Sequence, residues 1–550
     1  MFSRNESEHE DDSSVGSHSV EEELISDDDV EAWMETTQYH KNDREKFIGM
    51  FRRVKENDPT FTKLDLCGSS DYVETMNYDS WERLGVIIAS NSHLTEFRFG
   101  VSYGYFHHAR NTVCWHHDRI ITLLFQGLTR SDSIEDVSLR NHGFGLDGLR
   151  SMVPFLQNSN SLWRLELNDN HLRPQGFRLL LHALRYSPVE QLECDNCGLD
   201  SFEIEANAFP KELEILTLQD NGFGVDGLRC LVPLLQNSSY LISLDVSGNN
   251  ITPEGFSLLF WVFRDSPMEE LICGCCGLDS IAIDDAFIPT NLKFLYLYGK
   301  YGGRIENSIK ADGCREVAKL LLGESATLEI LELESNEVDD EGVAILVSAL
   351  QNNTKVNDLR LDENEGITMV GLKLLLKLVN DASSIKSTLQ SNHTLRRLGL
   401  SCQSKVELRD EAIKKEIEFA VRLNNENENN PAAAGRKKVI QTQLNSQKRS
   451  ELCHHLGIGQ RKAVLLSEIK PIHLPEVLAL ISRHHGQGEL YAALVPSIAA
   501  LFSTVNKKQC LQQQKAYHEA KLENIKAEIA VLEEAERLQQ KADYHHGTTV

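Results

Sequence analysis

Several short patterns in this chain have the residue types and spacing of chemistry. Gly143-x-Gly145-x-x-Gly148 has the form of a dinucleotide-binding loop, in which glycines open the backbone to a pyrophosphate at a helix N-terminus. Gly222, Gly224 and Gly227 repeat it, and Glu166 and Asp245 follow where ribose-binding acids would stand. Cys194-x-x-Cys197 and Cys273-x-x-Cys276 have the form of two halves of a zinc site. Gly100-x-Ser102-x-Gly104, with His107 and His108 near, matches a hydrolase nucleophile elbow. Cys114, His116 and His117 crowd the same stretch. Asp362-x-Asn364-x-Gly366 opens like a calcium loop.

Whether any of these can act depends on the elements that hold them, and one element dominates. The pattern L-x-x-L-x-L-x-x-N/C-x-L returns twelve times, most cleanly as Leu162, Leu165, Leu167, Asn170 and Leu172. Units begin at Phe61, Leu94, Ile134, Leu162, Val189, Leu213, Leu241, Met268, Leu292, Leu328, Val356 and Leu395. Ile134, Leu162 and Val189 open a trio with spacings of 28, 27 and 24 residues, and Leu213, Leu241 and Met268 open a second trio with the same spacings. The super-period is 79 residues: "GFGLDGLRSMVPFLQNS" at 143–159 returns as "GFGVDGLRCLVPLLQNS" at 222–238. This is the mark of tandem duplication.

In L-x-x-L-x-L the last two leucines alternate with polar residues and point to one face of a short strand. A buried Asn at the following turn can satisfy otherwise unpaired backbone groups. After Asp147, Leu149, Met152, Val153 and Leu156 recur at helical spacing. Strand then helix, stacked many times, predicts an α/β fold: a leucine-rich-repeat solenoid with a curved parallel sheet inside and helices outside. Pro154 and Pro233 fall inside the helix pattern and should kink or shorten their helices. The 24-residue units have little room for a helix and should carry a short turn or extended return.

The ladder disposes of most of the chemistry. Phe144 and Phe223 occupy its last position and should point into the core, closing the pyrophosphate path. The two Cys pairs take ladder positions and lie three layers apart, about three times 4.8 Å, too far for one ion with Zn–S bonds near 2.3 Å. Buried structural thiols are expected here, and Cys275, just past its strand, is the one of this set to test for reactivity. The elbow motif sits in an insertion at 100–117, not on the central strand that such a serine needs. The calcium-like loop has Lys373 at its twelfth position, where Glu is required. No catalytic residue, cofactor or metal is expected.

With these residues in view, the 28-residue units resemble the ribonuclease-inhibitor-like class of leucine-rich repeats, over about 61–402. The stretch "HLPEVLALISRHHGQGELYAALVPSIAALFSTV" is similar to the helical C-terminal extension of a large group of such proteins in diatoms. The resemblance implies a role in binding other proteins. Such repeats also occur in activators of small GTPases and in recognition domains of immune-type receptors.

Net charge is −26. About half of it lies in residues 1–35, with thirteen Asp/Glu and one Arg, too polar to fold. Ser7, Ser19 and Ser26 each precede an acid by three residues, which suits an acidophilic kinase or simply a solvated tail. The expected organisation is an acidic disordered tail (1–35), the solenoid (36–402), a capping helix (403–423), a linker (424–445), a helical region (446–506), a polar helix able to form a short coiled coil (507–542) and a tail (543–550). Leu522, Ile525, Ile529 and Leu532 are spaced for self-association or for folding back. The acidic start is unlike a signal peptide and no stretch is a membrane span, so a cytoplasmic place is expected, with the nucleus open. Twelve cysteines in ladder-like places fit a reducing compartment.

Strand positions three, five and seven should form the concave face. That face is acidic, with Glu166, Glu193 and Asp195 among its carboxylates. Its one aromatic cluster is Phe294, Tyr296 and Tyr298, flanked by Ile330, Glu332 and Glu334. Exposed aromatics ringed by charge make binding hot spots. The alternative is that the insertion at 299–312 covers them. The expectation is an interaction scaffold for a protein with basic patches, or a regulator of an enzyme (GTPase-activator-like or inhibitor-like) using the same face. Neither nucleic acid nor membrane is an expected partner.

Overall fold

A computed structural model of the protein describes residues 49–67, 78–100, 117–129, 131–202, 204, 210–300, 304–322, 326–401 and 408–443, with a few helical residues between 515 and 530. The acidic tail, the insertion chemistry at 101–116, the region 446–506 and most of the helix at 507–542 lie outside the described residues. The chain forms two compact units. One contains Met1–Leu320 and Ser325–Glu337, the other Leu321–Glu324 and Val338–Val550.

Every repeat places a strand at the predicted positions. In the first unit these are β1 (Lys63–Asp65), β2 (Glu96–Gly100), β3 (Asp136–Arg140), β4 (Arg164–Glu166), β5 (Gln191–Glu193), β6 (Ile215–Thr217), β7 (Ser243–Asp245), β8 (Glu270–Ile272), β9 (Phe294–Tyr296) and β10 (Ile330–Glu332). All pair in parallel, in chain order, with equivalent positions in register, as in Leu165 against Val137 and Leu192. The ladder runs past the short strands. Asn141, Asp169, Asn196, Asp220 and Cys275 all have positive φ, and each donates its N–H to a carbonyl of the next repeat at 2.7–2.9 Å. This left-handed turn follows β3, β4, β5, β6 and β8 and starts the chain back toward the helix layer.

Helices α1 (Tyr78–Ser90), α2 (His117–Leu128), α3 (Leu146–Asn158) and α4 (Arg173–Leu184) pack each on the next, as do α5 (Val225–Asn237) and α6 (Thr252–Phe263). The helix α7 (Lys310–Leu321) closes the set. In the 24-residue units the described residues hold no α-helix; the second copy has only a 3-10 turn, Asp285–Phe287. Leu162, Leu165, Leu167 and Leu172 are buried, each worth about 1.5–3 kcal/mol. In α3 the residue beside Met152 and Leu156 that is buried is Phe155, not the half-buried Val153. Neither proline shortens its helix: α3 runs on past Pro154 to Asn158, and α5 past Pro233 to Asn237.

The asparagine ladder spans the first unit. Asn249 Nδ2 donates to the Leu218 and Val246 carbonyls at 2.8 and 2.9 Å, while its Oδ1 accepts from Asn221 and Gly222 N–H at 3.0 and 2.9 Å. One side chain thus satisfies four backbone groups. Where Cys replaces Asn the thiol only donates: Cys197 to the Leu167 carbonyl at 3.2 Å, Cys276 to that of Val246 at 3.3 Å. In the third repeat of the unit, His142 takes the position and its Nε2 meets the Phe99 carbonyl at 3.0 Å.

The second unit carries β11 (Asp358–Arg360) paired in parallel with β12 (Arg397–Gly399). Its helices are α8 (Asp340–Leu350), α9 (Met369–Val379), α10 (Ile385–Leu389), α11 (Leu408–Asn425) and α12 (Pro431–Lys438). Ile413, Ile417 and Val421 of α11 are buried. The expected linker at 424–445 is corrected: α12 and a π-turn, Val439–Gln443, occupy it. Asn430 caps α12 by accepting from Ala433 N–H, and Pro431 takes the first turn, where its missing N–H is no loss. Lys438 is fully buried, donating to the Val379 carbonyl at 2.6 Å and facing His393 Nδ1 at 3.2 Å. Burial pulls Lys438 down to about 7.

Candidate interaction face

The outward rows of β2–β5 form a charge network around one arginine. Arg164 reaches Asp136 at 3.1 Å, Glu166 at 3.1 Å and Glu193 at 2.6 Å. Arg98 joins Asp136 at 3.1 Å, and Arg140 lies 3.9 Å from Glu166. Burial disfavours the charge of Arg164, but Glu193, Asp136 and Glu166 hold its pKa above the ordinary value. The carboxylates here are bridged to cations carried by the strands themselves.

Over β5–β8 the pattern changes. Asp195 follows β5 and accepts from Gln219 N–H at 2.7 Å. Burial, with Asp245 and Glu193 nearby, pushes it up to about 7. Asp245 on β7 is 5% exposed and accepts from Ser247 N–H at 2.9 Å. Burial, with Glu270 nearby, raises it to about 6. Glu270 takes a hydrogen bond from the Ser243 hydroxyl at 2.6 Å.

The aromatic cluster lies on β9 and just beyond. Phe294 pairs with Ile330 and Tyr296 with Glu332 across β9 and β10. Phe294, Tyr296, Ile330 and Glu334 are half-buried, and Glu332 is buried. Tyr298 does not stand up from the face. Its ring lies over Gly274, where a Cβ would collide with it. Burial raises its pKa. The nine predicted residues therefore fall into two groups, Glu166–Glu193–Asp195 and Phe294–Tyr296–Tyr298–Ile330–Glu332–Glu334. Strands β6, β7 and β8 separate them, so β5 and β9 are about 20 Å apart.

The insertion after β9 turns back along the loops of the second copy. Asn307 resumes the asparagine ladder, with Nδ2 on the Cys273 carbonyl at 2.8 Å and Oδ1 accepting from Cys276 N–H at 2.7 Å. Ser308 N–H donates to the Leu278 carbonyl at 2.7 Å. Arg304 forms an ion pair with Asp220, and its charge reaches Asp245 and Tyr298. Burial raises the pKa of Asp220 even with Arg304 beside it. Position-by-position reading could find Asp245 and the Asp136–Arg164 pair, which stand on face positions. Nothing in the sequence signals Arg304.

The other motifs are spoken for. Asp118 Oδ1 accepts from Gly145 and Gly148 N–H at 2.9 and 2.7 Å, so a carboxylate of the preceding repeat already fills the N-terminus of α3. Phe144 and Phe223 are buried. Burial pushes the Cys194 and Cys273 thiols well up. Cys275, the one to test for reactivity, is fully buried: its left-handed turn carries the side chain inward, and an inaccessible thiol meets no reagent. In the second unit Asp362 Oδ1 accepts from Ser401 N–H at 2.8 Å, and Asn364 Oδ1 from Val338 N–H at 2.9 Å. Among the described residues no helix is long and apolar enough to cross a membrane.

The chain is similar in sequence to several known proteins. A leucine-rich-repeat family model matches residues 237–260 and 324–346. The ribonuclease inhibitor of Sus scrofa is 29% identical over 247 residues, 42% of this chain and 52% of that protein. NACHT, LRR and PYD domains-containing protein 12 of Mus musculus is 28% identical over 280 residues, 44% of this chain and 23% of that protein. Ran GTPase-activating protein 1 of Saccharomyces cerevisiae is 24% identical over 312 residues, 52% of this chain and 73% of that protein. The chain spans about half the length of the ribonuclease inhibitors it matches. In-register parallel strands, an asparagine–cysteine ladder and these relatives agree on the fold: the chain is a leucine-rich-repeat α/β protein, similar to ribonuclease inhibitors over part of its length.

Proposed function

We propose that the protein is a non-enzymatic intracellular scaffold that grips a basic protein partner on the outward face of its sheet. The observation that supports this best is the half-buried pair Phe294–Ile330 with Tyr296, set beside Glu332 and Glu334 and continuous with the carboxylates of β7 and β8. A partner that buries those aromatics also meets acids at the rim, the arrangement of a binding hot spot. Phe294, Tyr296 and Ile330 carry the apolar contact, with Glu332 and Glu334 as its charged rim; Glu166, Glu193 and Asp195 set the charge of the other end. Affinity capture from cell extract with wild type and with Tyr296→Ala/Glu332→Lys tests it. Loss of specific proteins from the variant is the expected result. An unchanged set of captured proteins sinks the proposal.

A second reading has its own support. The match to Ran GTPase-activating protein 1 extends over most of that protein's length. Under it the same face regulates an enzyme, and adding the purified chain to small GTPases accelerates GTP hydrolysis. A scaffold leaves that rate untouched. Self-association through 507–542 is a further proposed contact: Leu522 and Ile529, seven residues apart, are both exposed. Sedimentation of wild type and Leu522→Asp/Ile529→Asp decides it, since equal sedimentation excludes that helix as the contact.

A further inference from the structure

A cation from outside the strand ladder sits at the edge of the second trio. Arg304 comes from the insertion after β9, yet it pairs with Asp220, 84 residues earlier in the chain. Its positive charge acts on Asp245 and on Tyr298 as well. Gly248 makes the approach feasible. It has φ of 72°, and a Cβ there would strike the Asp220 carboxylate. The insertion is pinned beside this place through Asn307 and Ser308, so the guanidinium is delivered rather than free to roam.

The first copy shows what the second lacks. There Arg164, on β4, is held by three carboxylates. Its equivalent 79 residues on is Ser243. In the second copy Asp220 is paired instead with an arginine on a loop, and Asp245 stands on the neighbouring strand in register with Thr217. A cation on a loop can leave, whereas one inside three carboxylates stays.

Resting on the proposal that this face binds a basic protein, we infer that the Asp220–Asp245 edge is the seat for an arginine or lysine of an extended partner segment. Arg304 fills that seat in the unbound chain as an internal stand-in. A partner's cation displaces it and takes over its carboxylates. Arg304 therefore weakens binding of a basic ligand and raises selectivity against weakly charged ones.

Fluorescein-labelled nona-arginine is the probe, read by fluorescence anisotropy with the full-length chain at about 50 mM salt, where screening is modest. The acidic tail contributes the same background to every variant. Arg304→Ala should tighten binding about two- to fivefold, the range of a partly exposed ion pair. Arg304→Lys keeps the competing charge and should stay near wild type. Arg304→Gln gives the same reading as the alanine variant if that variant fails to fold, as judged by circular dichroism. If Asp245→Asn weakens binding while Arg304→Ala and Arg304→Gln do not tighten it, the stand-in is refuted and the face survives. If Asp195→Asn and Asp245→Asn both bind like wild type, the acidic face itself is refuted, and the inference with it.

Discussion

The two tandem trios share a core and differ on their outward face. Phe144 and Phe223, Leu165 and Leu244, Leu192 and Leu271, Cys194 and Cys273 are all buried at equivalent places. Outward, Arg164 becomes Ser243, Asp136 becomes Ile215 and Glu193 becomes Ile272. The first copy bridges Asp136, Glu166 and Glu193 from within; the second keeps Asp245 and gains Glu270 without an arginine on its own strands. Duplication thus left the core alone and changed the charge balance of the face.

The largest test concerns the shared core. Phe144→Ala and Phe223→Ala should each cost about 3–5 kcal/mol, because each leaves a cavity behind a fully buried ring. Chemical denaturation should show the two costs within about 1 kcal/mol of each other. A much larger gap means the copies are not energetically equivalent.

The second test concerns the network. Arg164→Ala strips the cation from Asp136, Glu166 and Glu193, whose side chains are almost fully buried. Breaking such a set costs on the order of 2–4 kcal/mol, below the fully buried range because Arg164 keeps some exposure. Ser243→Ala, the same position in the second copy, loses one hydrogen bond to Glu270 and should cost about 1 kcal/mol. Similar losses for both would erase the contrast between the copies.

The strands and core were legible because the ladder has a period and each position has one physical job. Leu162, Leu165 and Leu167 say strand and core in any context. Other placements were hidden because they depend on where chain far away in sequence comes to rest. Asp118 filling the N-terminus of α3, Arg304 reaching Asp220 and Tyr298 lying on Gly274 are long-range placements with no local signature. The helix Pro431–Lys438 was different. Asn430-Pro431 is a start signal, but it stood in a run of Asn and Glu that composition marks as linker.

The third test weighs asparagine against cysteine in the ladder. Asn249→Ala orphans four backbone groups and should cost about 2–3 kcal/mol, since buried unpaired groups are expensive. Cys276→Ala loses weak thiol donation and a little volume, and should cost about 1 kcal/mol. Equal costs would mean that the ladder holds by packing and not by hydrogen bonding.

The smallest effect separates two carboxylates of the first copy by sign. Asp195 has a folded pKa of about 7 against an unfolded value near 3.9. The folded state therefore binds the extra proton between those values, and stability falls as pH rises from about 4 through 7. Asn at 195 can still accept from Gln219 N–H but carries no charge to bury. Asp195→Asn should match wild type at pH 4 and exceed it at pH 8 by on the order of 1–2 kcal/mol, a figure reduced for partial exposure. Glu166→Gln, in the arginine-bridged network, should lose stability at pH 8, because Arg164 then keeps two carboxylates instead of three. Thermal melts of the two variants at pH 8 read both signs at once. Opposite signs mean that a carboxylate on this sheet is stabilising only where a strand-borne arginine faces it; the others wait on a cation from elsewhere.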